Sequence, residues 1–498
     1  MLCAAAHPDD EDGATLAYYS KLKGYNAYTV FYTRGEGGQN EIGPELYDEL
    51  GKIREQECID AAKIQGSTPL FLGELDFGFS KTAKETFRFW GGEDSVLERI
   101  VYFIREIRPD VVVTNHDTIT TKPNRQHGNH QAVGITIYEA FDKAADPNYH
   151  PEQLVNGITP WQIKKLYFRV YDTTKTRGIV TIDIQKKSNT GETIEDLSID
   201  ALSKHRTQGM DKIEWKHLPK EFREKRYELV RSDKDYPYDA GDLFSGLNKT
   251  EKLNDINPQS YKTYYSYRTP DPADSLRILK EVKYGKNINI GWINSYDNTI
   301  GDILESFGIP HAKLDTSVLS QASLSTFTTI IIDIRAYFYR KDLAENNAKI
   351  LDYIKNGGNV ICFYHKNFDW DSHSYSPYPI YVTTERVTEE DAPVTILDPE
   401  HPFFNTPNKI VPSDWNNWVQ ERNIYLPIDD SLKTSAKYEK LLAMNDEDDT
   451  VPATSLLFAK YGKGTYAYCS LALYRQMKIF QEGSLKLFMN MISGSLSK

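Results

Sequence analysis

The sequence predicts an α/β protein built from parallel sheets wrapped by helices, and three observations predict it. Strand and helix signals alternate from the N-terminus to about residue 145, and the alternation resumes near residue 287 after a change of pattern. The 498 residues exceed what one ordinary core supports, so two domains are expected. A composition of 40% hydrophobic and 26% charged residues, with 33 Tyr, 21 Phe and 7 Trp, supplies enough apolar surface to exclude disorder as the main state.

Each element follows from local chemistry. Leu2–Ala6 is a short apolar strand. Ala14–Lys23 is helical and Gly24 ends it. Asn26–Thr33 is β-branched and aromatic, which predicts a strand. Glu45–Gln65 is a long amphipathic helix, with Leu46, Leu50, Ile53, Glu57 and Ala61 near helical spacing. Leu70–Leu72 is a short strand. Ser95–Ile107 is a helix carrying Val96, Ile100, Phe103 and Ile104 on one face; Pro109 stops it, and Asp110–Thr114 is the next strand. Gly128–Asp142 is helical. Beyond residue 150, Leu166–Tyr171 and Gly178–Ile184 read as antiparallel strands and Ile194–His205 as a helix. Residues 211–285 are rich in Lys, Asp, Tyr and Pro and read as extension and linker. The second pattern runs Asn287–Trp292 (strand), Ile300–Phe307 (helix), Thr328–Ile334 (strand), Asn346–Asn356 (helix, ended by Gly357-Gly358), Asn359–Tyr364 (strand), Thr465–Ser470 (strand) and Ser484–Ile492 (helix).

Charge and cysteine usage narrow the function. Lys plus Arg is 59 against 71 Asp plus Glu, a net charge of −12 with no basic block, which argues against nucleic acid or an anionic membrane as partner. Apolar runs such as Val111–Val113 and Ile330–Ile332 fall far short of the roughly 20 residues of a membrane span. Cys3, Cys58, Cys362 and Cys469 are scattered without a CxxC pair, which excludes a disulfide framework and a cysteine zinc cluster. No leader signature precedes Leu2–Ala6. The text as it stands reads as cytoplasmic, and as extracytoplasmic if a leader precedes residue 1. The sequence is compatible with a homo-oligomer and does not specify one.

His7-Pro8-Asp9-Asp10-Glu11 stands at the mouth of the first strand, where wrapped parallel sheets bind ligands. His7 and Asp10 are suitable N and O ligands for a divalent metal. Asp9, next to Asp10, tends to point away from it in extended backbone. His127-Gly128-Asn129-His130 follows the strand Asp110–Thr114 by a loop and opens a helix, so His127 and His130 share a face. His7, Asp10 and His130 would then form a two-histidine, one-carboxylate site with open positions, the mark of a catalytic metal. Each motif alone has a plainer reading, an N-cap turn for the first and a surface helix pair for the second.

Ala6-His7-Pro8-Asp9-Asp10-Glu11, Thr33-Arg34-Gly35-Glu36-Gly37-Gly38, Ile53-Arg54-Glu55-Gln56-Glu57 and His127-Gly128-Asn129-His130, in this order, resemble the PIG-L (LmbE-like) de-N-acetylase family over about residues 1–210. The resemblance implies a Rossmann-like wrapped parallel sheet and one divalent metal, usually Zn2+. It implies a hydrolase of carbon–nitrogen bonds other than peptide bonds, removing acetyl from an N-acetylated amino sugar or glycoconjugate. It further implies His7, Asp10 and His130 as metal ligands and Asp9 as the general base towards the water that attacks the amide. His127 would assist the oxyanion, as an imidazolium, or the leaving group; whether Asp9 or His127 protonates the leaving amine stays open.

Four further residues are candidates for substrate binding. Glu36 lies in a glycine-rich loop after the second strand that lacks the phosphate-binding pattern and reads as a rim contact for sugar hydroxyls. Arg54 lies inside a helix, where an ion-paired face is the plain alternative and the resemblance favours a substrate contact. Asp76 follows a strand and reads equally as a turn residue. His205 ends a helix, a favourable place for a histidine in any case, and resembles a family element beside the pocket.

The domain reading is 1–210 for the deacetylase-like part, 211–285 for extension and linker, and 286–498 for a second, flavodoxin-like α/β domain. By pattern the last resembles a glutamine-amidotransferase-like domain. Cys362 lies in an apolar strand run without the flanking glycine of a nucleophile elbow, so a buried thiol and a non-catalytic domain are expected. Trp370, Trp415 and Trp418, with Tyr375, Tyr378 and Tyr381, read either as core or as sugar-stacking residues. Two rivals remain for the whole protein, a metal amidase on a non-sugar amide and a carbohydrate-binding protein with a relic site.

Overall fold

The computed structural model describes residues 1–119, 126–236, 241–248, 260, 271–321, 323–428, 433–447, 449 and 453–493. The chain divides into two compact units, Met1–Tyr265 and Ser266–Lys498, each mixed α/β with a sheet dominated by parallel strands.

The first unit has seven strands: β1 (Leu2–Ala5), β2 (Ala27–Phe31), β3 (Ser67–Phe71), β4 (Val111–Thr114), β5 (Lys165–Arg169), β6 (Ile179–Ile182) and β7 (Lys225–Ser232). Their order is β3-β2-β1-β4-β5-β7-β6. The pairs from β3 through β5 are parallel, and β7 is antiparallel to both β5 and β6. The two strands read beyond residue 150 therefore do not pair with each other. Lys225–Ser232, from the stretch read as extension, lies between them. Pro272–Glu281, from the same stretch, is a helix of the second unit.

The helices of this unit are α1 (Gly13–Ala17, continued by a π turn at Tyr18–Leu22), α2 (Asp48–Gln65), α3 (Ala83–Phe89), α4 (Glu93–Ile107), α5 (Gly128–Lys143) and α6 (Ile194–Leu202). The period-2 alternation of β1 sorts them into layers. Leu2 and Ala4 enter a core with Phe87 of α3, Val96 and Ile100 of α4, and Val133 and Ile137 of α5. Cys3 enters the opposite core with Leu16 of α1 and Ile194 and Leu197 of α6. Ala5 packs with Phe31, Phe71 and Cys58 of α2. Residues at the carboxyl ends of β1 and β4 are thereby held by both layers.

In the second unit, β8 (Ile290–Ile293), β9 (His311–Lys313), β10 (Thr329–Ile332), β11 (Asn359–Phe363), β12 (Arg386–Val387), β13 (Val394–Ile396), β14 (Asn423–Ile424), β15 (Glu439–Met444), β16 (Ala453–Tyr461) and β17 (Gly464–Cys469) form an eight-stranded and a two-stranded sheet. The large sheet runs β13-β15-β16-β17-β11-β10-β8-β9, and β17 through β9 are parallel. Trp370, Trp415 and Trp418 are 7%, 7% and 1% exposed, so the tryptophans are core and not a sugar platform. Cys362 is buried. Its sulfur is 4.0 Å from His365 Nδ1, and that nitrogen donates to the Phe363 carbonyl at 2.9 Å, which leaves no base for the thiol. Among the described residues no helix is long and apolar enough to cross a membrane.

Candidate metal centre

The turn after β1 is pinned from all sides. Asp10 N–H donates to the His7 carbonyl, Asn115 Nδ2 to the Asp10 carbonyl at 2.6 Å, and Gln208 Nε2 to the Pro8 carbonyl at 2.6 Å. Glu11 is spent on this anchoring: its Oε1 meets His205 Nε2 at 3.0 Å and Gln65 Nε2 at 2.9 Å, and its Oε2 accepts Asp9 N–H. Asp12 caps α1 through Thr15 N–H and accepts from Arg169 at 2.8 Å and from the Tyr227 hydroxyl at 2.5 Å, tying the turn to β5 and β7. Asp9 sits at φ +85, a costly conformation for a non-glycine residue, and its carboxylate makes no hydrogen bond among the described residues.

Asp10 collects the histidines. Its Oδ2 lies 3.0 Å from His7 Nδ1, 3.1 Å from His130 Nε2 and 3.9 Å from His116 Nε2. The His127 ring lies tilted 3.7 Å from that of His130 between centroids and 5.1 Å from that of His7. Of three sets of three whose ligand atoms lie mutually within 4.8 Å among the described residues, two are at this rim, His7 with His127 and His130, and Asp10 with His116 and His130; His7, Asp10 and His130 together are not one of them. The sequence reading brought His7, Asp10, His127 and His130 to one rim, and they do meet there. It missed His116, whose signal was its place two residues beyond the end of β4. It also missed Asn129, which is fully buried, with Nδ2 3.1 Å from His7 Nε2 and Oδ1 accepting from Ser80 and Thr86.

The donor set fits a divalent cation. Ligands about 2.1 Å from a tetrahedral ion stand about 3.4 Å apart. The two contacts of Asp10 Oδ2, at 3.0 and 3.1 Å, are close to that spacing. His127 Nδ1 is buried without a hydrogen-bond partner among the described residues, and His130 Nε2 faces Asp10 Oδ2 at 3.1 Å. Without the ion, burial lowers His127 and His116 below the ordinary histidine value, helped by the neighbouring imidazoles. Burial would raise Asp10, but His130, His7 and His116 hold it below the usual carboxylate range. Burial also opposes the charged form of His7, yet the Asp10 hydrogen bond and the fields of Asp76, Asp10 and Asp9 carry it up to about 9. Burial and then the Asp10 charge push Asp9 up to about 8, against His205 and Arg54. For His127 burial first, and then the neighbouring imidazoles, oppose the imidazolium expected from the sequence.

The residues expected as substrate contacts lie deep in the first unit. Glu36 is fully buried, its Oε2 accepting Arg34 N–H at 2.9 Å. Arg54 is 3% exposed and clamps the protein itself: it donates to the Gly35 carbonyl, to the Gln39 carbonyl at 2.8 Å and to Thr207 Oγ1 at 3.1 Å. His205 is fully buried against Glu11. Each of the three makes polar contacts within the protein, while Glu36 Oε1 and His205 Nδ1 have no hydrogen-bond partner among the described residues. The glycines of the loop have a packing reason: a Cβ on Gly37 would meet the Asp76 carbonyl at 2.3 Å, and one on Gly38 the Arg54 guanidinium at 2.5 Å. Asp76 accepts Gly78 N–H at 2.9 Å, and its charge reaches His7.

With this geometry in place, comparison with known proteins is informative. Residues 2–141 match the PIG-L family model, GlcNAc-PI de-N-acetylase. The PIG-L stretch thus contains β1 to β4, most of α5, and every histidine and carboxylate gathered around Asp10. A 1D-myo-inositol 2-acetamido-2-deoxy-alpha-D-glucopyranoside deacetylase of Frankia alni is 35% identical over 180 residues, 32% of this chain and 59% of the relative. The protein of the same description from Catenulispora acidiphila is 30% identical over 224 residues, 40% of this chain and 65% of the relative. The chain thus spans about three fifths of the length of the curated relatives it matches. Among solved structures, N,N'-diacetylchitobiose deacetylase from Pyrococcus horikoshii aligns with 43% of this chain and 72% of its own at 23% identity, with a TM-score of 0.34, too low to carry an argument.

Proposed function

We propose that this protein is a metal-dependent hydrolase that removes the acetyl group from an N-acetylated amino sugar or its conjugate. The observation that carries the reading is the convergence of His7 and His130 on Asp10 Oδ2, with the buried Asp9 carboxyl in the field of Asp10. We read β3-β2-β1-β4-β5 as a Rossmann-like order with the site at the β1/β4 switch point, and β9-β8-β10-β11-β17 as a flavodoxin-like order in a second, non-catalytic unit.

His7, Asp10 and His130 would hold the cation, and zinc suits their N,O,N donors. When bound, it supplies a Lewis acid that polarises the amide carbonyl and acidifies water. The chain supplies the rest. Asp9 accepts the proton of the attacking water and returns it to the departing amine. His127, neutral, donates an N–H towards the developing oxyanion. The named activities of the relatives support an acetamido sugar as the substrate class.

The test measures acetate released from a panel of acetamido sugars, with chelator and after separate return of zinc, cobalt, nickel and iron. Metal-restored release from at least one sugar is the expected result. Release only from non-sugar amides transfers the reading to an amidase, and binding without release to a relic site.

A further inference from the structure

We propose that the second unit carries a binding site for a neutral saccharide at the carboxyl edge of its sheet, where the segments leaving β8 and β10 meet. The inference is independent of the metal centre. β8 and β10 are neighbours, but the chain leaves β8 towards β9 and β10 towards β11, on opposite sides. Such a divergence opens a crevice at the strand ends, the usual ligand position in an open parallel sheet.

Two hydroxyls after β8 meet no partner among the described residues. Ser295 Oγ and Tyr296 Oη are buried and make no hydrogen bond among the described residues. A buried hydroxyl without a partner costs free energy, so its retention asks for a ligand. An aromatic ladder leads outward from Tyr296: its ring lies 5.0 Å from Tyr339, Tyr339 lies 5.1 Å from Phe338, and Phe338 meets Phe368 edge-on at 6.2 Å. Phe338 and Phe368 are 50% and 67% exposed, which is unusual for two adjacent phenylalanines.

The charge beneath the ladder is internally closed. Arg335, held in the left-handed region at φ +54 directly after β10, places its guanidinium 4.9 Å from the Phe338 ring and donates to Asp369 at 2.8 Å. Asp297 and Asp333 are both buried at the same edge, and burial raises both above the usual carboxylate range. The guanidinium beneath the ladder is already paired to Asp369, which disfavours an anion, and a purely apolar ligand would leave Ser295 and Tyr296 unmet. A pyranose satisfies both demands, with an apolar C–H face for the phenylalanines and hydroxyls for Ser295 and Tyr296.

The experiment titrates the full chain with cellotetraose, maltotetraose, xylotetraose and mannotetraose, which carry no amide for the first unit to cleave, and reads binding by calorimetry. Saturable binding of at least one is expected, weakened at least tenfold in Phe368→Ala and about fivefold in Tyr296→Phe. Acetate release by the first unit stays unchanged in both. Tyr296→Phe removes only the unpartnered hydroxyl, so its melting temperature in the absence of sugar is expected to equal or exceed that of the parent, which a merely structural hydroxyl would not allow. Binding of none of the four, equal affinity in parent and both variants, or a lower melting temperature for ligand-free Tyr296→Phe overturns the proposal.

Discussion

Asn129 Nδ2 lies 3.1 Å from His7 Nε2, and this contact orients the first residue of the metal turn from the helix that carries the last. Asn129 is fixed in turn by Ser80 at 3.0 Å and Thr86 at 2.9 Å, both fully buried. The ring plane of His7, and so the direction of Nδ1, is set by groups that never touch a substrate. Residues behind a metal ligand typically contribute 10–100-fold to metal affinity. Asn129→Ala is expected to weaken zinc binding by about that factor, measured by competition with a chromogenic chelator. An unchanged affinity would remove Asn129 from the site.

Asp9 and His130 separate chemistry from metal retention. Asp9→Asn keeps the shape of the side chain and all three proposed ligands, so full metal content with a loss of most turnover is expected. His130→Ala removes the nitrogen 3.1 Å from Asp10 Oδ2 and is expected to lose metal and turnover together. Elemental analysis of the two purified variants, beside acetate release, checks both. Full metal occupancy in His130→Ala contradicts the ligand set.

Arg54 distinguishes a support from a substrate contact. Its guanidinium ties the Gly35 and Gln39 carbonyls on one side to Thr207 on the other. Removing a buried charged donor from three acceptors costs about 2–4 kcal/mol, so Arg54→Ala is expected to lower the melting temperature of the first unit by several degrees. A variant with the parent's melting temperature and a raised KM would return Arg54 to the substrate.

What the sequence made legible was position along the chain. The short apolar run of Leu2–Ala6 and the 3.6-period pattern of α4 located the strand ends, and a cluster of His and Asp at a strand end has little packing purpose. Depth was not legible. Arg54 lies four residues after Leu50 and four before Cys58, on the buried face of α2, yet a polar residue in such a row reads as solvated unless its partners are known. Those partners, the Gly35 carbonyl and Thr207, are distant in sequence. His116 escaped because it stands outside any motif and is gathered only when β4 pairs with β1. Lys225–Ser232 was read as extension because its pairing with β5 and β6 is antiparallel and non-local.

The second unit carries its own acid sensor. His365 is fully buried, its Nδ1–H donating to the Phe363 carbonyl at 2.9 Å and its Nε2 accepting Tyr337 N–H at 3.1 Å, so both nitrogens are committed to the neutral ring. Burial lowers its pKa from 6.5 to about 3, with the Arg335 charge acting in the same direction against the Phe363 hydrogen bond. A folded pKa below the unfolded one means that the unfolded chain binds the extra proton between these values. The neutral ring's contribution is thus fully present above pH 6.5 and is lost as pH falls towards 3. At pH 4.5 the loss amounts to about 3 kcal/mol. Calorimetric melting of the full chain from pH 7 to pH 4 is expected to show the transition of the second unit falling. In His365→Gln, which keeps a donor and an acceptor but has no titrating ring, the same transition should start lower at pH 7 and fall less. Parallel pH profiles for parent and variant would show that His365 does not govern the acid response.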